Sequence, residues 1–142
     1  FGSHEGTKMS RFDDLEALAR IAVDRGYHLH RDIGPGLLES VYEVLLAEYL
    51  KDRGLRVARQ VRVPIVHKGQ ELEEAFRADI IVEGKLLLEL KSAERISVVH
   101  PKQVLTYLRL LNLPLGLLMN FGQGTFKDGL KRVANDYYGQ IG

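Results

Sequence analysis

Residues 76–92, Phe-Arg-Ala-Asp-Ile-Ile-Val-Glu-Gly-Lys-Leu-Leu-Leu-Glu-Leu-Lys-Ser, constrain this chain more than any other stretch. β-Branched and aliphatic residues on either side of Glu83-Gly84 read as two β-strands around a tight turn. Asp79, Glu89 and Lys91 stand inside that apolar run. A charged side chain is costly to bury unless it is paired, hydrogen-bonded or bound to a metal. The three charges therefore need a reason beyond packing.

Turn parity decides whether they can act together. A two-residue loop, Glu83-Gly84, pairs Val82 with Lys85 and sends Asp79 and Glu89 to opposite faces. A three-residue loop, Glu83-Gly84-Lys85, pairs Val82 with Leu86 and sets Asp79 directly opposite Glu89. Three-residue hairpins with a glycine free to take positive φ are a common class, and we expect this one. Directly opposed residues have Cβ atoms about 5 Å apart, close enough for two carboxylates to share one divalent cation. Glu89 and Lys91 share a strand face by period-two alternation.

The rest of the chain can supply one domain around this hairpin. Its 142 residues are enough for a single core. With 45% hydrophobic and 27% charged residues it has a globular composition. The absence of cysteine excludes disulfides, thiolate metal sites and cysteine nucleophiles, and is compatible with the cytosol. No apolar run has the length of a membrane span, so no membrane partner is expected. Residues 1–8 carry a Gly-Ser-His run without periodicity and read as an expression remnant, leaving residues 9–142 as the domain.

Asp13 and Asp14 open a helical pattern that reaches about His30. Gly34-Pro35-Gly36 breaks it. A second helix over residues 37–53 is apolar around most of its circumference and is expected to be buried. Residues 56–66 alternate as a strand, with Pro64 arguing for a sheet edge. After the hairpin, Pro101 opens a helix, residues 115–121 form a short apolar strand, and an amphipathic helix is expected over residues 127–137. Helix, helix, three strands, helix, strand, helix is an α/β order on a small mixed sheet.

That order, with Asp79 followed by Glu89-Leu90-Lys91, resembles the PD-(D/E)XK nuclease superfamily, whose restriction-endonuclease-like core is αβββαβ. Local motifs resemble one branch, the GxxExxY proteins, in Gly36-Leu37-Leu38-Glu39-Ser40-Val41-Tyr42. His30 and Gly34-Pro35-Gly36 upstream fit that branch, as do Gln103-Val104-Leu105-Thr106-Tyr107, Asn120-Phe121-Gly122 and Lys127-Asp128-Gly129 downstream. The likeness runs over residues 21–133. Ala78 stands where the superfamily has its proline, and Gln60 stands where many relatives are expected to have an acid. Gln60 is expected to lie away from the core motif.

The resemblance implies a Mg²⁺- or Mn²⁺-dependent nuclease acting on nucleic acid, DNA ahead of RNA, or a catalytically inactive relative that only binds. Asp79 and Glu89 would hold the ion, with the Leu90 carbonyl as a further oxygen. Lys91 would orient the attacking water or stabilise developing charge. Glu39 is either an additional ligand or an acid that suits the helix dipole. Gln103 and Tyr107, one turn apart, would orient the carboxylates or the phosphate. His30 reads as structural, and neither it nor His100 belongs to a pair with zinc spacing. Arg56, Arg59, Arg62, Lys102, Arg109, Lys127, Lys131 and Arg132 are candidate phosphate contacts or ordinary surface charge. The oligomeric state stays open, a homodimer included.

Overall fold

A computed structural model describes residues 11–136, save the side chains of residues 11–13 and 73–75. The proposed remnant at residues 1–8 lies outside the described residues. The first helix, α1, spans Arg11–Ile33 and buries Leu15, Leu18, Ala19, Ala22 and Leu29 along one stripe. It stops at Gly34, whose φ is 83° and whose amide donates to the His30 carbonyl at 2.7 Å. The second helix, α2, spans Glu39–Lys51. Tyr42 ties down the loop between the two helices: its hydroxyl donates to the Gly34 carbonyl and accepts the Leu37 amide.

Burial of α2 is one-sided, which corrects the expectation of a helix enclosed all round. Tyr42, Leu46, Ala47 and Leu50 face the core, while Leu38, Val41 and Val44 are exposed, Leu38 at 73%. Only one side of α2 has neighbours, because helices in the outer layers on a sheet leave their outer faces to solvent.

Five strands form one sheet in the order β1-β2-β3-β4-β5: β1 Val57–His67, β2 Gln70–Val82, β3 Leu86–Lys91, β4 Leu115–Asn120 and β5 Leu130–Ala134. β3 and β4 are parallel and are joined through α3, Val99–Leu111; the other three pairs are antiparallel. β1 is an edge strand, and its register with β2 shifts between Val63 and Ile65, where Pro64 cannot donate to a ladder. One core cluster joins α1 and α2 to Ile80, Val82, Leu86, Leu88, Leu90, Leu115, Leu117 and Met119. A second joins Val104, Tyr107 and Leu108 of α3 to Val63, Ala78, Ile81, Leu87 and Leu118 on the opposite sheet face. Among the described residues, no helix is long and apolar enough to cross a membrane.

The expected last helix is instead a 3₁₀ turn, Lys127–Gly129, followed by β5. Leu130 and Val133 have helical spacing, but Leu130 packs against the first cluster and Val133 against the second. Each face of this short edge strand receives one apolar side chain, so alternation has nothing to register on. The open edge of β4 supplies the hydrogen bonds that decide the matter. Tyr137, at the end of the expected helix, lies outside the described residues.

Candidate active site

The β2–β3 hairpin closes as its parity requires. Glu83 and Gly84 take φ of 54° and 65°, and the Lys85 amide donates to the Val82 carbonyl at 3.0 Å. Val82 pairs with Leu86, Ile81 with Leu87 and Ile80 with Leu88. At the next step the strands part and carboxylates take over the hydrogen bonding. Asp79 Oδ2 accepts the Leu90 amide at 2.8 Å, and Glu89 Oε1 accepts the Asp79 amide at 3.1 Å. Each acid thus satisfies a backbone donor that the ladder no longer serves, and each keeps a second oxygen.

The opening coincides with a reversal of the strand faces. Strict alternation would put Val61, Ala78 and Phe76 on the side of Val57, Ile80 and Val82. Val61 and Ala78 belong instead to the cluster under α3, and the Phe76 ring meets Tyr107 of α3. The switch falls at Gln60 and Asp79, which stand across from each other between the pairs Arg59–Ile80 and Val61–Ala78. Gln60 has φ 52°, a left-handed conformation that an L-residue adopts at a cost of roughly 1–2 kcal/mol. Gln60 is therefore beside the carboxylates, which corrects its expected place away from the motif. Its Nε2 donates to Glu43 Oε1 at 2.6 Å, and Arg59 donates to Glu43 Oε2 at 2.9 Å.

Burial dominates the electrostatics. Glu89 is 4% exposed. Desolvation, then the Asp79 charge, pushes it up to about 8. Desolvation also raises Asp79, against the Leu90 amide, which favours its charged form; Glu43 adds a raising charge and Lys91 a lowering one. Tyr107 is raised by burial and by the charges of Glu89 and Asp79, which places its phenol over the same cleft. Gln103 Nε2 donates to the Tyr107 hydroxyl at 3.2 Å.

A buried and a half-buried carboxylate without a full countercharge fit a hard divalent cation. Mg²⁺ is commonly held by one or two carboxylates and keeps its waters and the substrate's phosphate oxygens. Among the described residues, no group of three or more His, Cys, Asp or Glu converges as a self-sufficient cage.

The structure brings together Asp79, Glu89, Lys91, Gln103 and Tyr107, and Leu90 contributes its amide to Asp79. Glu39 is exposed in the first turn of α2 and makes no hydrogen bond or ion pair among the described residues. Glu43, one turn further, is the buried acid whose charge acts on Asp79. Sequence reasoning missed it, although i and i+4 share a helix face and Glu43 sits in an apolar stretch. His30 is structural: its Nε2 lies 2.8 Å from the Gln123 carbonyl and its ring stacks on Phe121. Asn120 stands beside Lys91 in the β3–β4 register. Its side chain donates to the Ala93 carbonyl and accepts the Ala93 and Gly122 amides, pinning the chain that leaves β3. Of the candidate phosphate contacts, Arg56, Arg59, Arg62 and Arg132 are tied to Glu83, Glu43, Glu71 and Glu16.

A family model described as the PD-(D/E)XK nuclease superfamily matches residues 16–133, from within α1 to within β5. No curated protein and no solved structure matches the chain.

Proposed function

This chain belongs to the PD-(D/E)XK nuclease superfamily, and we propose that it is a Mg²⁺- or Mn²⁺-dependent phosphodiester hydrolase acting on nucleic acid, DNA ahead of RNA. The observation that supports this reading above the others is the convergence of Asp79 and Glu89 at the point where β2 and β3 part. The second oxygens of Asp79 and Glu89, with the Leu90 carbonyl, would hold the ion. Bound there, it would polarise the scissile phosphate and lower the pKa of the attacking water. Lys91, two residues beyond Glu89 on the same strand, would place its positive charge where negative charge develops. Gln103, steadied by Tyr107, offers an amide to the phosphate or to a carboxylate. Glu43 holds Arg59 and Gln60 in place beneath the pair, and Glu39, from its exposed turn, would add a ligand through water.

We also assign the chain to the GxxExxY branch. In Gly36, Glu39 and Tyr42 the motif has a physical reading. Gly36 takes φ 104°, and Tyr42 locks the loop that leads into the first turn of α2.

Cleavage of a panel of DNA and RNA forms with Mg²⁺, Mn²⁺ or EDTA tests the reading. Lys91→Ala should leave nucleic-acid affinity largely intact and lower the cleavage rate by about a hundredfold or more. Equal cleavage by wild type and Lys91→Ala would overturn it. A modest salt-dependent loss of affinity, with no cleavage by either protein, would assign the domain to binding alone.

A further inference from the structure

Phe76 is an aromatic side chain on the lip of the cleft that no catalytic role uses. It lies three residues before Asp79, on the part of β2 that has left β3, and it is 48% exposed. The face reversal at Gln60 and Asp79 turns it toward α3, where its ring sits 5.6 Å from that of Tyr107 at 41°. Tyr107 is 5% exposed and hydrogen-bonded to Gln103, so the Phe76 ring is backed by an immobile neighbour and keeps its outer side open. One turn before Gln103, Val99 is exposed at 61%. Phe76, Gln103 and Val99 thus border the mouth with an aromatic ring, an amide and an aliphatic group.

Such a border suits a nucleobase, which has two apolar faces and a hydrogen-bonding edge. It suits a phosphate backbone poorly. Two nearby arginines are already paired with carboxylates, Arg59 with Glu43 and Arg62 with Glu71. The chain as a whole carries a net charge of only +1. Base stacking would add affinity that does not depend on charge.

We propose that Phe76 is a stacking platform for an unpaired base, and that the substrate class is nucleic acid single-stranded or frayed at the scissile bond. This rests on the nuclease reading above and names its substrate. A base on Phe76 would set the adjacent phosphate over Asp79 and Glu89, whereas an intact duplex keeps its bases inside the stack.

The test is equilibrium binding, in EDTA, of labelled oligothymidylate and of a duplex of equal length. Wild type, Phe76→Ala, Phe76→Leu and Phe76→Trp are compared, each first shown by its melting curve to be folded. Wild type should prefer the single strand. Phe76→Ala and Phe76→Leu should lose about tenfold or more in single-strand affinity. Phe76→Trp should retain it, duplex affinity should barely move, and the ratio of wild type to Phe76→Ala should hold across salt concentrations. Unchanged single-strand affinity in Phe76→Ala, or equal loss for both substrates, overturns the proposal. If cleavage persists in that case, the nuclease reading survives without it. Binding of neither nucleic acid overturns the stacking role, and the cleavage panel with Mg²⁺ or Mn²⁺ then decides the nuclease reading by itself. Loss of self-association in place of base binding would assign the rim to a second copy and overturn the stacking role.

Discussion

The β2–β3 hairpin has two ends made from the same pair of strands and opposite in chemistry. At the closed end, Val82, Leu86, Ile80 and Leu88 are fully buried and regularly paired. At the open end, one residue beyond the last regular pair, two carboxylates take the place of ladder hydrogen bonds, and Gln60 across from them is left-handed. The closed end gains from every contact it makes. The open end holds buried charge and an unfavourable backbone conformation, and it persists because the closed end and two helical layers enclose it. Strain held this way is typical of sites that act on something else.

The sharpest way to break the comparison is at the closed end. Leu88→Ala should cost about 2–5 kcal/mol in denaturant unfolding, since the side chain is fully buried in the cluster beneath α1 and α2. Any stabilisation by Mn²⁺ should remain the same in size.

At the open end the sign reverses. Glu89 is raised from an ordinary 4.5 to about 8, so the metal-free folded protein keeps a proton that the unfolded chain releases. The pair's contribution is full below about pH 4.5 and drains as pH rises toward 8. Glu89→Gln keeps an acceptor for the Asp79 amide and removes the titrating group. It should stabilise the metal-free protein at pH 8 by on the order of 2 kcal/mol, flatten the pH dependence, and abolish cleavage. Urea melts of both proteins across pH check this, and parallel pH profiles would refute it.

A smaller effect separates backbone from side chain at the reversal point. Gln60→Val and Gln60→Gly both lose the hydrogen bond to Glu43, but only valine must adopt φ near 52° with a branched Cβ. The valine variant should be less stable than the glycine variant by about 1–2 kcal/mol. Equal stabilities would mean the strand can take Gln60 back into regular pairing.

The same contrast explains what could be read from the residues. The odd loop was legible because Gly84 and the need to bring Asp79 to Glu89 pointed to one parity, and regular strands propagate parity faithfully. Irregular places hid. The reversal at Gln60 depends on a backbone angle that glutamine does not announce. Glu43 was masked by its neighbour Glu39, the motif residue on the same face. β5 was read as a helix because pairing to β4 is non-local and Leu130 and Val133 serve opposite faces. Gly129 gave a signal that spacing could not interpret: a Cβ there would collide with the Asn120 carbonyl, which explains a glycine before an edge strand. The exposed side of α2 was misread because hydrophobicity around a helix does not reveal whether a second layer exists to cover it.

The account stands on the open end being held for a cation. The direct measurement is the unfolding midpoint at pH 8 with and without millimolar Mn²⁺, for wild type, Asp79→Asn and Glu89→Gln. The ion should raise the wild-type midpoint, since an ion bound only by the folded state stabilises it by mass action, and the shift should vanish in both variants. A wild type indifferent to Mn²⁺, or a shift that survives removal of either carboxylate, would contradict it.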